Sequence, residues 1–197
     1  MERKLIYNEL QGKEETGMSK KVLTIETSPR KHGNTEIMAE RFLEGAKEAG
    51  HETERISLYD QNLQFCRGCL ACQKTRECVI KDDVNVMLRK IQDADVLVFS
   101  TPIYFYEMTG QMKTLLDRTN PLFSAEYRFR DVYLLAACAD SEETSADGAV
   151  KGLQGWIDCF EKAELAGVIC GYGADQKGDV EKMPEILNQV FDMGKAV

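Results

Sequence analysis

Short apolar runs alternate with helix-like patterns along most of this 197-residue chain, and this alternation limits the folds available to it. β-branched and aliphatic residues fill the runs, and turn residues bound them, as expected of buried strands. Between the runs, apolar residues recur at helical spacing, as in Val84, Met87, Leu88 and Ile91. The predicted strands cover residues 20–27, 51–58, 95–100, 132–138 and 167–171. Strands that alternate with helices form parallel sheets covered on both faces, so we predict an α/β fold with a five-stranded parallel sheet.

The bulk properties indicate one globular domain of ordinary composition. A chain of 197 residues with 43% hydrophobic and 29% charged residues is long enough to bury one full core. Residues 1–17 are polar and weakly periodic, so we predict a flexible extension there. Residues 18–197 then form a single domain.

Charge and hydropathy argue against several classes of partner. The net charge is −8, and the lysines and arginines are scattered rather than clustered, which disfavours a nucleic-acid partner. No stretch reaches the roughly 18–20 apolar residues of a membrane span, and the first residues lack the apolar run of a signal peptide. We therefore expect no nucleic acid, no membrane association, and a cytoplasmic location in which thiols stay reduced.

A polar turn follows the first predicted strand and opens a helix. It reads Ser28-Pro-Arg-Lys-His-Gly-Asn-Thr35. Ligands of open α/β sheets bind at the carboxyl edge, where helix N-termini offer free N–H groups to anions. Hydroxyls, an amide and a guanidinium could bind a phosphate there, and a glycine permits a close or left-handed backbone. The turn lacks the glycine patterns of nucleoside triphosphate and dinucleotide sites, which favours a monophosphate. The alternative is a polar turn that only caps its helix.

A second loop at the same predicted edge is rich in aromatic residues. After the third strand the chain runs Ser100-Thr-Pro-Ile-Tyr-Phe-Tyr-Glu-Met-Thr-Gly110. Exposed rings beside an anion site suggest a flat hydrophobic ligand, whose polar atoms backbone N–H groups could contact. The alternative is that the rings pack the loop or a dimer contact.

Four cysteines lie within thirteen residues, as Cys66-x2-Cys69-x2-Cys72-x5-Cys78. They fill a connection, at about residues 59–81, that is too long for an ordinary loop and is therefore a candidate functional segment. Thiolates at such intervals can converge on a metal or an iron–sulfur cluster. Zinc and metal-free thiols, reduced or in a regulatory disulfide, are the alternatives. The other three cysteines, Cys138, Cys159 and Cys170, are expected to be small buried side chains.

These motifs together resemble a known family. Ser28-Pro-Arg-x-x-Gly-Asn-Thr35 and Thr101-Pro-Ile-Tyr-Phe105, followed by Gln111-Met-Lys-Thr-Leu-Leu-Asp-Arg118, resemble the flavodoxin-fold NAD(P)H-dependent FMN reductases. The block Cys66-Arg-Gly-Cys-Leu-Ala-Cys resembles the iron–sulfur flavoprotein branch of that superfamily. The resemblance covers roughly residues 20–195. It implies a flavodoxin-like three-layer sandwich with strand order 2-1-3-4-5.

The resemblance also implies a cofactor site. FMN would bind through its phosphate and its isoalloxazine ring, and the four-cysteine run would hold a [4Fe–4S] cluster, although relatives carry similar cysteines without one. The expected phosphate-turn residues are Ser28, Arg30, Gly33, Asn34 and Thr35. The expected ring contacts are Pro102, Ile103, Tyr104 and Phe105, and the expected cluster ligands are Cys66, Cys69, Cys72 and Cys78.

The implied activity is that of an FMN-dependent oxidoreductase. Electrons would pass from NAD(P)H through FMN to a quinone, another small acceptor or a protein acceptor, and the cofactor carries the chemistry, so no catalytic acid or base is named. The alternative is a non-enzymatic electron carrier that holds a flavin, with or without a cluster, and docks to protein partners. The resemblance further implies a homodimer or homotetramer in which a neighbouring subunit helps to cover the flavin.

Overall fold

The computed structural model describes residues 18–197, so the predicted extension over residues 1–17 lies outside the described residues. One sheet has the strand order β2-β1-β3-β4-β5, and each neighbouring pair is parallel. The strands are β1 Lys21–Glu26, β2 Glu52–Ser57, β3 Val96–Pro102, β4 Asp131–Cys138 and β5 Glu164–Tyr172. The helices are α1 Asn34–Glu48, α2 Cys72–Thr75, α3 Val84–Asp93, α4 Gly110–Asp117, α5 Asp147–Ile157 and α6 Pro184–Lys195. The predicted α/β class and the flavodoxin-like order 2-1-3-4-5 are confirmed.

Helices cover both faces of the sheet, which gives three layers. On one face, Leu23 and Phe99 pack with apolar residues of α3, α4 and α5 in one core. On the other face, Val22 packs with Phe42 of α1 and Val190 of α6 in a second core. Because neither face of the central strands meets water, β3 is buried along almost its whole length. Within residues 18–197, no helix is both long enough and apolar enough to span a membrane.

Two glycines bring α1 and α6 into backbone contact. A Cβ added to Gly45 of α1 would lie 2.1 Å from the carbonyl oxygen of Phe191 on α6. A Cβ added to Gly194 of α6 would likewise lie 2.1 Å from the carbonyl oxygen of Phe42 on α1. No side chain fits between the helices at these points, so the two glycines allow the backbones of α1 and α6 to come into contact.

A buried ion pair anchors the long segment that carries the cysteines. The Arg118 side chain is fully buried and donates to Asp82 Oδ2 at 2.8 Å and to Asp82 Oδ1 at 3.0 Å. The same guanidinium donates to the carbonyl oxygen of Gln64 at 2.5 Å. Arg118, just after α4, therefore holds both ends of the connection between β2 and α3. Such a fork-shaped contact has directional hydrogen bonds as well as charge attraction.

The three isolated cysteines are only partly as predicted. Cys138 and Cys170 are buried on neighbouring strands, with their sulfur atoms 3.9 Å apart. The prediction that Cys159 is buried is wrong, because its side chain is exposed. The helix α5 ends at Ile157, and Cys159 lies in the turn beyond it, where its Sγ donates to the carbonyl oxygen of Gly155 at 3.4 Å. Helical periodicity no longer predicts side-chain direction there.

Replacing Gly194 with alanine should destabilise the fold, because the new methyl group would overlap the backbone of α1. Overpacking of this kind costs about 1–3 kcal/mol, which urea unfolding at pH 7 would measure. Gly155→Ala on α5 is the matched control, since nothing lies within 4 Å of the place that its new methyl group would take. The control should gain about 0.5–1 kcal/mol from helix propensity. Equal effects of the two substitutions would contradict the close helix contact.

Replacing Arg118 with alanine should cost about 3–5 kcal/mol in the free energy of unfolding, because it leaves the buried Asp82 carboxylate without its partner. Arg118→Lys keeps the charge but loses the fork, so its loss should be smaller. Urea unfolding of both variants measures the difference. A loss below about 1 kcal/mol for Arg118→Ala, the range of exposed pairs, would show that this ion pair does not anchor the segment.

Candidate functional site

The turn between β1 and α1 is closed by its own hydrogen bonds. Ser28 Oγ accepts a hydrogen bond from the backbone N–H of Arg30 at 3.1 Å. A Cβ on Gly33 would lie 3.3 Å from the carbonyl oxygen of Arg30, so glycine lets the chain fold back tightly. The φ of Gly33 is −83°, which is not left-handed. Of the two roles predicted for this glycine, the structure therefore shows the close approach.

The start of α1 presents its backbone N–H groups to the space beside this turn. Gly33 is the N-cap residue of this 15-residue helix, and no side chain caps it. Uncapped N–H groups and the helix dipole favour an anion at this position. Arg30 and Lys177 line the same cleft. The turn thus combines backbone donors with two cationic side chains.

A buried group of threonines joins this turn to the aromatic loop. Thr27 Oγ1 donates to the carbonyl oxygen of Ser100 at 2.9 Å, and Thr109 Oγ1 contacts Thr27 Oγ1 at 3.1 Å. The backbone N–H of Thr109 donates to Thr101 Oγ1 at 3.1 Å. These contacts link the end of β1, the end of β3 and the start of α4. These buried hydrogen bonds therefore fix the distance between the phosphate turn and the aromatic loop.

The aromatic loop contains a tight two-residue turn in an uncommon conformation. Tyr104 and Glu107 pair through both backbone hydrogen bonds, and the residues between them, Phe105 and Tyr106, have φ values of 51° and 63°. Left-handed backbone is unfavourable for such bulky residues. Tyr106 Oη donates to Asp140 Oδ2 at 3.2 Å, which helps to hold the turn. The Phe105 side chain is 100% exposed, so the structure places it outside the cleft.

The turn and the loop border one cleft of about 180 Å³ at the carboxyl edge of the sheet. Eight of the nine residues predicted from the sequence to contact FMN line it, and Phe105 does not. The eight are Ser28, Arg30, Gly33, Asn34, Thr35, Pro102, Ile103 and Tyr104. The sequence therefore identified both walls of the cleft.

Two further segments line the cleft and were missed by the sequence reasoning. Residues 137–139 are at the end of β4, and Ala174, Asp175 and Lys177 follow β5. In a parallel sheet these strands end at the same edge, which was the available signal. Lys177 matters most among them, because it adds a second cation beside Arg30.

Some predicted donors are already occupied inside the protein. The Asn34 amide nitrogen donates to the carbonyl oxygens of Ala174 at 3.2 Å and Gln176 at 2.9 Å, and its oxygen accepts from the Val180 N–H at 3.2 Å. Asn34 thus ties α1 to the loop that carries Lys177. The backbone N–H of Ile103 donates to Ala137 O at 2.8 Å, and that of Tyr104 to Glu107 O at 2.9 Å. These two N–H groups are therefore not available to a ring, contrary to the expectation for this loop.

The cleft fits the flavin mononucleotide that the family resemblance implies. A phosphate needs N–H donors, hydroxyls and cations, and the cleft offers uncapped N–H groups, Ser28, Thr35 and Arg30. A flat aromatic ring needs apolar walls, which Pro102 and Ile103 provide beside the phosphate side. The two kinds of surface lie in one cleft, as a ligand with an anionic tail and an apolar head requires.

The four-cysteine run lies around a separate, small hollow of about 20 Å³ that shares no residue with the cleft. Cys66 and Cys69 are exposed, Cys72 is buried, and Cys78 accepts a hydrogen bond from Arg118 Nη2 at 3.2 Å. Burial, and then the neighbouring Cys78, raise the pKa of the Cys72 thiol. All four thiols therefore border one small region beside the buried ion pair.

The described geometry does not fit a metal ion or cluster at these cysteines. Across residues 18–197, no three cysteine, histidine or carboxylate side chains come together closely enough to hold a metal ion. The [4Fe–4S] cluster on Cys66, Cys69, Cys72 and Cys78 consequently stays a prediction from the resemblance. No step of the activity below depends on it.

Known proteins support the same assignment. The family described as NADPH-dependent FMN reductase matches residues 20–160. An iron–sulfur flavoprotein of Methanocaldococcus jannaschii is 42% identical over 102 residues, which are 52% of this chain and 53% of that protein. One of Methanosarcina thermophila is 28% identical over 138 residues, 70% of this chain and 72% of that protein. The chain spans about half the length of the curated relatives that it matches at highest identity.

Solved structures show the same fold. An NAD(P)H:quinone oxidoreductase from Methanothermobacter marburgensis superposes with a TM-score of 0.71 at 19% identity, over 90% of this chain and 96% of that chain. At this identity the likeness establishes the fold alone. The family match is stronger evidence, because its range contains the phosphate turn, the cysteine run and the aromatic loop. On that evidence, the chain belongs to the NADPH-dependent FMN reductase family.

Proposed function

We propose that this protein binds FMN in the cleft at the carboxyl edge of the sheet and oxidises NADH or NADPH, passing the electrons to a quinone or another small acceptor. The observation that carries the proposal is the cleft itself, in which the uncapped start of α1 and the walls from β3 meet. Family membership supports the same activity.

The residues of the chain bind and orient the cofactor in this proposal. Arg30, Lys177 and the first N–H groups of α1 hold the phosphate, and Ser28 and Thr35 add hydroxyl contacts. Pro102, Ile103 and Tyr104 form the apolar wall for the ring. Bound FMN supplies the hydride acceptor and the electron-passing chemistry. No side chain has to act as an acid or base.

Exposed aromatic side chains follow the cleft residue Tyr104 in the chain. Phe105 and Tyr106 are both exposed, so a second aromatic molecule can contact them from solvent. We expect a nicotinamide and a quinone to use this side of the protein in turn. The predicted homodimer or homotetramer, the predicted protein acceptor and the predicted cytoplasmic location all stay predictions.

Removing the Arg30 charge should weaken FMN binding much more than riboflavin binding, because riboflavin lacks the phosphate. A charge-assisted hydrogen bond contributes about 1.5–3 kcal/mol, so Arg30→Gln should raise the Kd for FMN about 10- to 100-fold. Quenching of flavin fluorescence measures both ligands. Lys113→Gln is the control, since it removes a charge on α4 that pairs with Asp117 and lies away from the cleft. Equal losses for FMN and riboflavin would contradict the assignment of the phosphate to the turn.

The activity is tested with protein reconstituted with FMN. We expect one equivalent of bound flavin and steady-state oxidation of NADH or NADPH that depends on added quinone. The readout is the loss of nicotinamide absorbance, with apoprotein and with free FMN as controls. Flavin binding without nicotinamide turnover would instead identify an electron carrier, and no flavin binding would overturn the proposal.

A further inference from the structure

A buried carboxyl group at the end of β1, just before the phosphate turn in the chain, has no role in the proposed activity. Glu26 is the last residue of β1, two residues before Ser28, and it is only 2% exposed. Its Oε2 accepts a hydrogen bond from Arg55 Nη2 at 2.9 Å. Its Oε1 is buried and has no hydrogen-bond partner in the described part of the chain. An unpaired carboxylate oxygen in such a place is costly.

A second buried polar group without a partner lies on the neighbouring strand. Ser100 on β3 is the register partner of Glu26, and its buried Oγ is also without a partner in the described chain. Neighbouring strands lie about 4.8 Å apart, so the two side chains are adjacent. The Ser100 hydroxyl could donate to a carboxylate oxygen or accept from a protonated carboxyl, but neither hydrogen bond is formed between the two side chains. Within residues 18–197, Oε1 therefore has burial but no donor to stabilise its charge, and this favours the neutral acid.

The charges around Glu26 also favour its neutral form. Arg55 of β2 is shared by three carboxylates, at 2.9 Å from Glu26, 2.9 Å from Glu36 and 2.8 Å from Glu40. One guanidinium cannot neutralise three carboxylates, so the cluster carries excess negative charge when all are ionised. Burial first, and then Glu36 and Glu40, raise the pKa of Glu26 to about 7, although Arg55 opposes them.

The cluster is connected to the turn by hydrogen bonds. Glu36, in the first turn of α1, contacts Arg55 through Oε1 and accepts the backbone N–H of His32 at 2.5 Å through Oε2. His32 lies in the phosphate turn with a left-handed φ of 52°. Its ring lies 3.7 Å from Glu36, and the turn also contributes the charge of Lys31, which pairs with Asp60, while β3 contributes the uncharged Ser100.

We propose that Glu26 is a proton-binding site linked to the anion site of the turn, so that binding of a phosphate group there is accompanied by protonation of the Glu26 carboxylate. This inference rests on the proposed FMN site. The proton comes from hydronium or a buffer acid, whose bond to hydrogen breaks as the carboxyl O–H bond forms, and no oxidation state changes. The phosphate brings negative charge next to a cluster that already has an excess of it, and protonation of Glu26 removes one unit.

The sign of the linkage follows from these charges. A nearby anion raises the proton affinity of Glu26, so anion binding takes up protons and is strengthened as pH falls through the titration of Glu26. With a pKa of about 7 before binding, Glu26 is half protonated at pH 7. If the anion raises that pKa by one unit or more, binding at pH 7 takes up roughly 0.4 proton.

Calorimetric titration tests the linkage directly. FMN, and separately inorganic phosphate, are titrated into apoprotein at pH 7 in two buffers of different ionisation enthalpy, which gives the number of protons taken up. Glu26→Gln keeps the size and an oxygen for Arg55 but cannot titrate. Wild-type protein should take up roughly 0.4 proton more than Glu26→Gln. The titration of each ligand's own phosphate group is common to both proteins and cancels in the difference between them.

Glu40→Gln is the matched control, because Glu40 contacts the same guanidinium but its side chain is 48% exposed. Loss of the Glu40 charge should lower the pKa of Glu26, but Glu26 still titrates, so the proton uptake should stay above that of Glu26→Gln. Equal uptake in wild type and Glu26→Gln would overturn the linkage while leaving the FMN site intact. Proton uptake with phosphate but no binding of FMN would support the linkage and overturn the proposed function. Failure of both ligands to bind would overturn both.

A ligand-free measurement checks that Glu26 titrates. The folded state holds its proton more tightly than the unfolded chain, so wild-type stability should fall as pH rises from 5.5 to 8. Glu26→Gln should lack that part of the fall and be more stable than wild type at pH 8 in urea unfolding. Identical pH dependence of the two proteins would overturn the proposal.

Discussion

The parallel pairing of β1 with β3 is the interaction on which the site depends. Glu26 pairs with Ser100 in register, and the backbone N–H of Thr27 then donates to the Ser100 carbonyl oxygen at 2.9 Å. This pairing puts the end of β1 opposite Ser100, two residues before β3 ends at Pro102, so the phosphate turn and the aromatic loop begin close together. The buried threonines only secure what the register has already set. A shift of one residue would separate the two walls of the cleft and turn Glu26 to the opposite face.

The fold and two walls of the cleft could be predicted because they follow from local chemistry. Strand and helix periodicity specifies the layers, and the polar and aromatic loops carry their ligand chemistry in their own residues. The contribution of Lys177 could not be found in this way, since it depends on Asn34 holding a distant loop against α1. The exposure of Phe105 depends on a left-handed turn that a Phe-Tyr pair does not predict. Cys159 was misplaced because periodicity does not show where a helix ends.

The cysteine run shows the limit of sequence spacing in another way. Its intervals match a cluster motif, yet the described thiols border a hollow without converging on one point. What the structure adds is the anchor: Arg118 spans Asp82, Gln64 and Cys78, so the segment is built on a buried charge pair rather than on a hydrophobic core of its own. The redox assignment therefore rests on the cleft and the family, and it does not depend on the cysteines.

The close approach of α1 and α6 at Gly45 and Gly194 has a mechanical consequence for the cleft. At these two points the helix backbones are in contact, with no side chain between them that could compress. Asn34 bridges the phosphate turn to the loop that carries Lys177, so we expect these two parts of the cleft to move together. The aromatic loop on the other side of the cleft ends in the exposed Phe105–Tyr106 turn, where the Tyr106 hydroxyl donates a hydrogen bond to Asp140. Entry and exit of a ligand would therefore depend on how far the Phe105–Tyr106 turn can move.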